Sequence, residues 1–470
     1  MQDRNTHGQR YQMPQTKPVK KKPAKTKPVH WLWIGLGLTG VAMVSATAGA
    51  LLAVSLASTP LLQQKLTPEE EAVFNNGDSF SNSHMRLPAV TRPVNILVLG
   101  MSVLPNDVRD APTATKNLGF KPQVDSVEGL SDTMMLMRFN PETKKVVVLS
   151  IPRDTRIVME KHGVQKINAA NALGGPALAA TEVSRLLDNA EIDRYVRINV
   201  LGVGKLIDAL GGLNIYVPKD MKYTDESQHL FVNLKKGWQH LNGDQAMQLL
   251  RFRNDSSGDM GRIQRQQLVI RALMEQALNP TTIAHIPKLL SLLQSHIDTN
   301  LSIEELMALV GFASKIDKAN VQGLIVPGDF NGNGRHEVSY WLPNSRHIKQ
   351  LMAKYFDQGH SDKEVVEPNR IRVSVQNGSQ DPQAVPSLVK KLRLAGYHNV
   401  SIGDRLPEPL GVTQIVAQQG DADSAQAVYQ SLGFGDVRVD TSGVLYSDVT
   451  IKLGQDWLQK NETVDTSIKP

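Results

Sequence analysis

The stretch "LLRFRNDSSGDMGRIQRQQ" (249–267) sets four arginines around a turn built of Asn, Asp, Ser and Gly. Arg251 and Arg253 are two apart, so an extended chain points both the same way. Arg262, Arg265 and Gln266 stand at i, i+3 and i+4, the spacing of one helix face. Gly258 and Gly261 let backbone approach a ligand near the start of that helix, where free N–H groups favour anions. Guanidinium forks bind phosphate in bidentate fashion. Surface ion pairs with Asp255 and Asp259 are the competing explanation, and such pairs are worth little. Two further segments carry candidate chemistry. "SIPRDTR" (150–156) ends an apolar run in Pro152 and delivers Arg153, Asp154 and Arg156 at a strand edge, where sites are commonly built. "GLSDTMM" (129–135) puts Asp132 between two hydroxyls ahead of an apolar strand. A lone carboxylate with hydroxyl neighbours suits Mg²⁺, which keeps its waters and its substrate phosphates, and equally suits a plain turn.

The elements that must position these residues follow from periodicity. "VNILVLG" (94–100) reads as a first core strand. The "NPET" turn between "DTMMLMRF" and "KKVVVLSIP" makes 132–151 a hairpin. Helical spacing covers 175–188, "GVGKLIDALGG", 244–252 and 260–278, and "RYVRINV" and "LNIYVP" read as strands. Alternating strands and helices over about 94–330 predict an α/β (α+β) sandwich. Residues 101–130, with three prolines, form a long excursion of the kind that is often functional. Beyond a polar linker at 357–369, residues 370–457 hold two strand–helix–strand units. They read as a small separate α/β domain, a binding or spacing module, with Asp381 capping its first helix and Pro382 at the first position. Residues 458–470 are a tail.

The first thirty residues are basic and Pro-rich, a composition that stays disordered. Residues 31–57 then carry no charge, enough apolar length to cross a bilayer, with Trp31 and Trp33 at an interfacial position. The acidic "TPEEEAV" follows within the 58–91 linker. The positive-inside rule therefore predicts a single-pass plasma-membrane anchor, a cytoplasmic N-terminus and an extracytoplasmic body. A cleaved signal peptide is the competing reading and leaves the body on the same side. The absence of cysteine excludes disulfides, thiolate nucleophiles and Cys-ligated metals. The formal charge of +6 comes largely from the disordered tail and gives no argument for nucleic acid. "DFNGNG" (329–334) starts like a calcium loop, but Tyr340 stands at its twelfth position, where a bidentate Glu is needed. No GxSxG elbow or HExxH pair occurs.

"VNILVLG", "SDTMMLMRFNPETKKVVVLSIPRDTR", "QKINAANALGG", "DALGGLNIYVP" and "RFRNDSSGDMGRIQRQQ", in that order, resemble the LytR-CpsA-Psr family of membrane-anchored envelope phosphotransferases. Residues 370–455 resemble the C-terminal domain often attached to it, and the 101–130 insertion resembles a cyanobacterial-type branch. The resemblance implies a catalytic domain over 92–356, with a central mixed sheet flanked by helices. It implies a polyprenyl-pyrophosphate-linked glycan donor, a peptidoglycan acceptor, and Mg²⁺ or Mn²⁺ as cofactor. Arg153, Arg251, Arg253, Arg262 and Gln266 fall on the family's diphosphate-binding positions, and Asp132 on a metal-ligand carboxylate. Asp154 and Asp259 are candidates for orienting or base roles, and Met134–Met137 for lining a prenyl groove. Two positions depart from the pattern: Ser102 and Leu130 stand where the family usually has Asp and Arg. Asp107, Asp110 or Asp125 are left as possible sources of a second metal ligand, and a non-catalytic lipid-diphosphate binder is the alternative function.

Overall fold

The computed structural model describes residues 65–75, 80–81, 88–102, 126–228, 230–252, 258–277, 296–317, 320–331, 338–359 and 366–457. The basic tail, the apolar segment 31–57, Arg253, the loop residues Asp107, Asp110 and Asp125, and 458–470 lie outside them. Among the described residues no helix is long and apolar enough to cross a membrane.

A six-stranded mixed sheet is the frame. Strands β1 (Val94–Met101), β2 (Ser131–Asn140) and β3 (Lys145–Ile151) form an antiparallel meander. Helix α1 (Ala169–Leu186) returns the chain to β4 (Arg194–Asn199), parallel to β1. Later come helix α2 (Val200–Ala209), helix α3 (Gly243–Arg251), helix α4 (Gly258–Ala277), strand β5 (Ile297–Thr299), helix α5 (Ile303–Ala313), strand β6 (Val321–Ile325) and helix α6 (Ser345–Tyr355). The strand order is β5-β4-β1-β2-β3-β6. The β2–β3 hairpin forms where the turn sequence predicts it. Asn140 Oδ1 accepts from the backbone N–H groups of Glu142 and Thr143, a local bond that competes well with ladder pairing at a turn.

Period-2 alternation sorts β2 between the two faces of the sheet. Met134 and Leu136 are buried with Leu97, Leu99 and Leu149 under α1 and α6. On the other face Phe139 packs with Ile96 and Val98 beneath α5, and Met135 lines a cavity roofed by α2, α3 and α4. The proposed groove strand is thus split: Met135 faces the cavity and Met134 is core. A third core joins α2, α3 and α4 to the hairpins over 213–241.

Residues 370–457 contain a five-stranded sheet with β7 (Val373–Asn377), β8 (Val400–Ile402), β9 (Gln414–Val416), β10 (Asp436–Arg438) and β11 (Val449–Leu453) in the order β8-β7-β11-β9-β10. Helices α7 (Ala384–Leu394) and α8 (Ala422–Leu432) pack on it around their own core. The start of α7 differs from the sequence expectation. The helix begins at Ala384 with Gln383 as its cap, and Asp381 instead accepts from the Gln383 backbone. That bond spans two residues, closing a turn ahead of the helix in place of a cap.

Candidate active site

Three chain segments converge on Asp132. It is the second residue of β2, next to Ser131, which is fully buried and donates from both its N–H and its hydroxyl to the Asn168 carbonyl. Arg153 follows β3 directly. Pro152 turns the chain, and the turn is closed by the Thr155 N–H and hydroxyl donating to the Pro152 carbonyl at 3.0 and 2.6 Å. The Arg153 carbonyl accepts from Asn168, and the Asp154 carbonyl from Trp341, so the turn is pinned on two sides. Arg262 and Gln266 come from α4, one turn apart.

The geometry is compact. Arg153 Nη1 and Arg262 Nη2 both donate to Asp132 Oδ1 at 2.7 Å. Gln266 Nε2 donates to the Asp132 backbone carbonyl at 3.1 Å. Two guanidinium groups on one carboxylate oxygen are charge-assisted bonds that fix the forks side by side. Asp132 Oδ2 takes no hydrogen bond among the described residues. Asp154 is 3% exposed; Oδ1 holds Lys166 at 2.7 Å and Oδ2 lies 3.3 Å from Arg153 Nε. It orients the arginine from behind.

The cluster sits at one end of an apolar cavity of about 240 Å³. Val98, Met135, Val203, Leu250, Val269 and Leu273 line the cavity, and Asp132, Arg251, Arg262 and Gln266 supply its polar end. A cavity with many apolar walls and a few convergent polar groups is the usual form of a small-ligand site.

Five of the sequence-named residues, Asp132, Arg153, Asp154, Arg262 and Gln266, are therefore brought together, and Arg251 lines the same cavity. Arg251 ends α3 rather than lying in extended chain, so the period-2 argument made for it with Arg253 does not hold. Arg265 leaves the face shared by Arg262 and Gln266. It is 2% exposed, donates to the Phe252 carbonyl and stacks on the Phe252 ring. Apolar contact and a carbonyl partner inside the α3–α4 junction outcompete the anion face for this side chain. Asp259 lies in the first turn of α4, its side chain outside the described residues. Ser102 lines the cavity, and Leu130 is half exposed.

Sequence reasoning missed a buried support beneath the site. Arg197 Nε donates to Asp298 at 2.6 Å, and its Nη1 to Asn171 at 3.3 Å. Asn171 in turn donates to the carbonyls of Val127 and Gly129, the approach to Asp132. An arginine at an inward position of the alternating strand "RYVRIN" was the available signal, since a buried charge demands a partner. Tyr223 and Asp225, which also line the cavity, come from the hairpin 221–234 and carry no local motif.

The chain matches the model of the LytR_cpsA_psr family over residues 61–357. Residues 370–457 match the model described as LytR cell envelope-related transcriptional attenuator. Among curated proteins it is 31% identical over 231 residues to the polyisoprenyl-teichoic acid–peptidoglycan teichoic acid transferase TagV of Bacillus subtilis, covering 48% of this chain and 58% of that protein. The TagU transferase of the same description from Oceanobacillus iheyensis is 30% identical over 270 residues, 56% of this chain and 74% of its own length. The crystal structure of B. subtilis TagV aligns with a TM-score of 0.46 at 27% identity, over 57% of this chain and 99% of that one. By the extent of the family match, the chain belongs to the LytR-CpsA-Psr family.

Proposed function

We propose that the chain transfers a phosphoglycosyl unit from a polyprenyl-diphosphate-linked glycopolymer to a hydroxyl of peptidoglycan. The observation that carries this is Asp132 bonded by Arg153 and Arg262 at the polar end of an apolar cavity. The names of the related transferases point to the same donor and acceptor classes. A diphosphate needs fixed positive charge, and a prenyl chain needs an apolar slot. Both needs are met by neighbouring residues here.

In this reading Arg153, Arg251 and Arg262 bind the diphosphate, assisted by Gln266, with Arg253 added by the family pattern. The acceptor oxygen attacks the phosphorus that carries the sugar, and the bond from that phosphorus to the bridging oxygen breaks. Polyprenyl phosphate departs, and the hydroxyl proton passes to a base. Asp154, held by Lys166 and Arg153, orients the arginine, and Asp259 is the remaining carboxylate candidate for the base. Donors fixed in advance, where charge develops, are usually the largest single contribution to catalysis. Asp132, through Oδ2, is the protein oxygen that would hold Mg²⁺ or Mn²⁺, hard cations that use few protein ligands. When bound, the cation supplies charge neutralisation along the diphosphate. Anchoring by residues 31–57, with the N-terminus cytoplasmic and the body outside, belongs to the same proposal.

The test is transfer of a lipid-linked glycopolymer to peptidoglycan by the detergent-solubilised full chain. Arg153→Ala should lower transfer by about 100-fold or more and leave the circular dichroism spectrum unchanged; transfer within a few-fold of wild type would overturn the reading. A second reading, a non-catalytic diphosphate binder, is favoured by Ser102 and Leu130 at positions where the family carries charge. Magnesium-dependent cleavage of geranyl diphosphate separates the two, since a binder holds it without turnover.

A further inference from the structure

Helix α4 carries a second group of cations away from the site. Arg271 lies nine positions beyond Arg262, about two and a half turns, and so on the opposite side of the helix. There it meets residues 370–457: Arg271 Nη2 donates to Thr441 Oγ1 at 3.3 Å. Lys452 of β11 reaches the same place and donates from Nζ to Ser442 Oγ at 2.6 Å. Arg271, Arg438, Lys452 and the two hydroxyls line a cavity of about 390 Å³, with Asp440 and Glu275 on its wall.

Arg194, Arg197 and Arg372 each carry a carboxylate within 2.7 Å. Among the described residues neither Arg271 nor Lys452 has a carboxylate within ion-pair distance; each holds one neutral hydroxyl. Asp440 is nearby, but its Oδ1 accepts from the Ser442 backbone at 2.6 Å. Burial, reinforced by Arg271 and Arg438, pushes the Lys452 ammonium down to about 8 despite the pull of Asp440. Three cations share this cavity wall with only two carboxylates, and neither carboxylate reaches Arg271 or Lys452; an anion between those two offsets the cost of burying them.

We propose that this cavity, between the back of α4 and the sheet of residues 370–457, is a binding site for a phosphate-class oxyanion, held by Arg271 and Lys452 with Thr441 and Ser442 as hydroxyl donors. The phosphate comes either as the free ion or as a phosphodiester of an envelope polymer. The site does not rest on the transferase reading.

Competitive acetylation of the full chain with acetic anhydride at pH 8, read by mass spectrometry at the peptide containing Lys452, tests it. The exposed Lys390 serves as the reference. An anion beside the ammonium keeps it protonated and unreactive, so inorganic phosphate should slow Lys452 labelling by about threefold or more and leave Lys390 unchanged. Sodium chloride at matched ionic strength should not slow it. Protection by a poly(glycerol phosphate) oligomer at lower phosphate concentration identifies the polymer as the source; protection by the free ion alone identifies inorganic phosphate. No protection by either, or equal protection by chloride, overturns the site. Arg271→Met should keep the fold and lose the protection, and full protection in that variant also overturns it. The readout is at Lys452 itself, so failure of transferase activity neither mimics nor hides the result.

Discussion

Two cationic clusters use the same helix in opposite ways. On the front of α4, Arg262 shares a carboxylate with Arg153, and the charges are held in register beside an apolar cavity. On the back, Arg271 and Lys452 face a cavity with hydroxyl partners and, among the described residues, no carboxylate within ion-pair distance, though Asp440 and Glu275 stand on its wall. The front is organised before a ligand arrives, because Asp132 already fixes the guanidinium forks. The back is left electrostatically incomplete. Preorganised charge suits a transition state, whereas incomplete charge suits capture of a ligand.

Substitutions in the front cluster should have the largest effects. Arg153→Ala or Arg262→Ala should lower kcat for transfer by about 100-fold or more, the scale of removing one preorganised donor. Measured transfer within a few-fold of wild type would make the front cluster structural only. Next in size, Asp132→Asn should weaken the response to added Mg²⁺ by about 10- to 100-fold, in a titration of activity against metal concentration. Leu250→Asp on the cavity wall should raise KM more for a long-chain prenyl donor than for a geranyl one, since each buried methylene is worth about 0.8 kcal/mol. Equal effects on both donors would detach the cavity from the lipid. Leu445→Ala should cost about 2–5 kcal/mol in denaturant unfolding, as large-to-small core changes do.

The smallest effect sharpens the back. The Lys452 ammonium is depressed to about 8 in the folded chain, so the unfolded chain binds more protons between pH 8 and its own ordinary value. Stability then rises with pH across that window by linkage, up to about pH 10.4. Lys452→Met should flatten that rise in thermal melts, and saturating phosphate should flatten it in the wild type if the anion occupies the cavity.

Much of the frame was legible because it is local. The β2–β3 hairpin announces itself in "NPET", and α3 and α4 in apolar spacing. Arg153 and Asp132 could be picked out because both stand at strand ends, where side chains escape the core. Arg265 could not be sorted from Arg262 by spacing, because positions three apart share a face only until a neighbour such as Phe252 offers better contacts. Arg197, Asn171 and Asp298 meet across 26 and 101 residues, and no window of sequence contains that network. The cap expected at Asp381 failed for a smaller reason: its side chain closes a two-residue turn first.

Ile263, Ile325 and Leu445 form one buried cluster, with Phe330 beside it. Ile263 is the neighbour of Arg262, Ile325 ends β6, and Leu445 belongs to residues 370–457. Two segments that match separate family models thus share a buried cluster: a calorimetric scan should give a single endotherm, and truncation before residue 370 would uncover Ile325 and loosen the helix that carries Arg262.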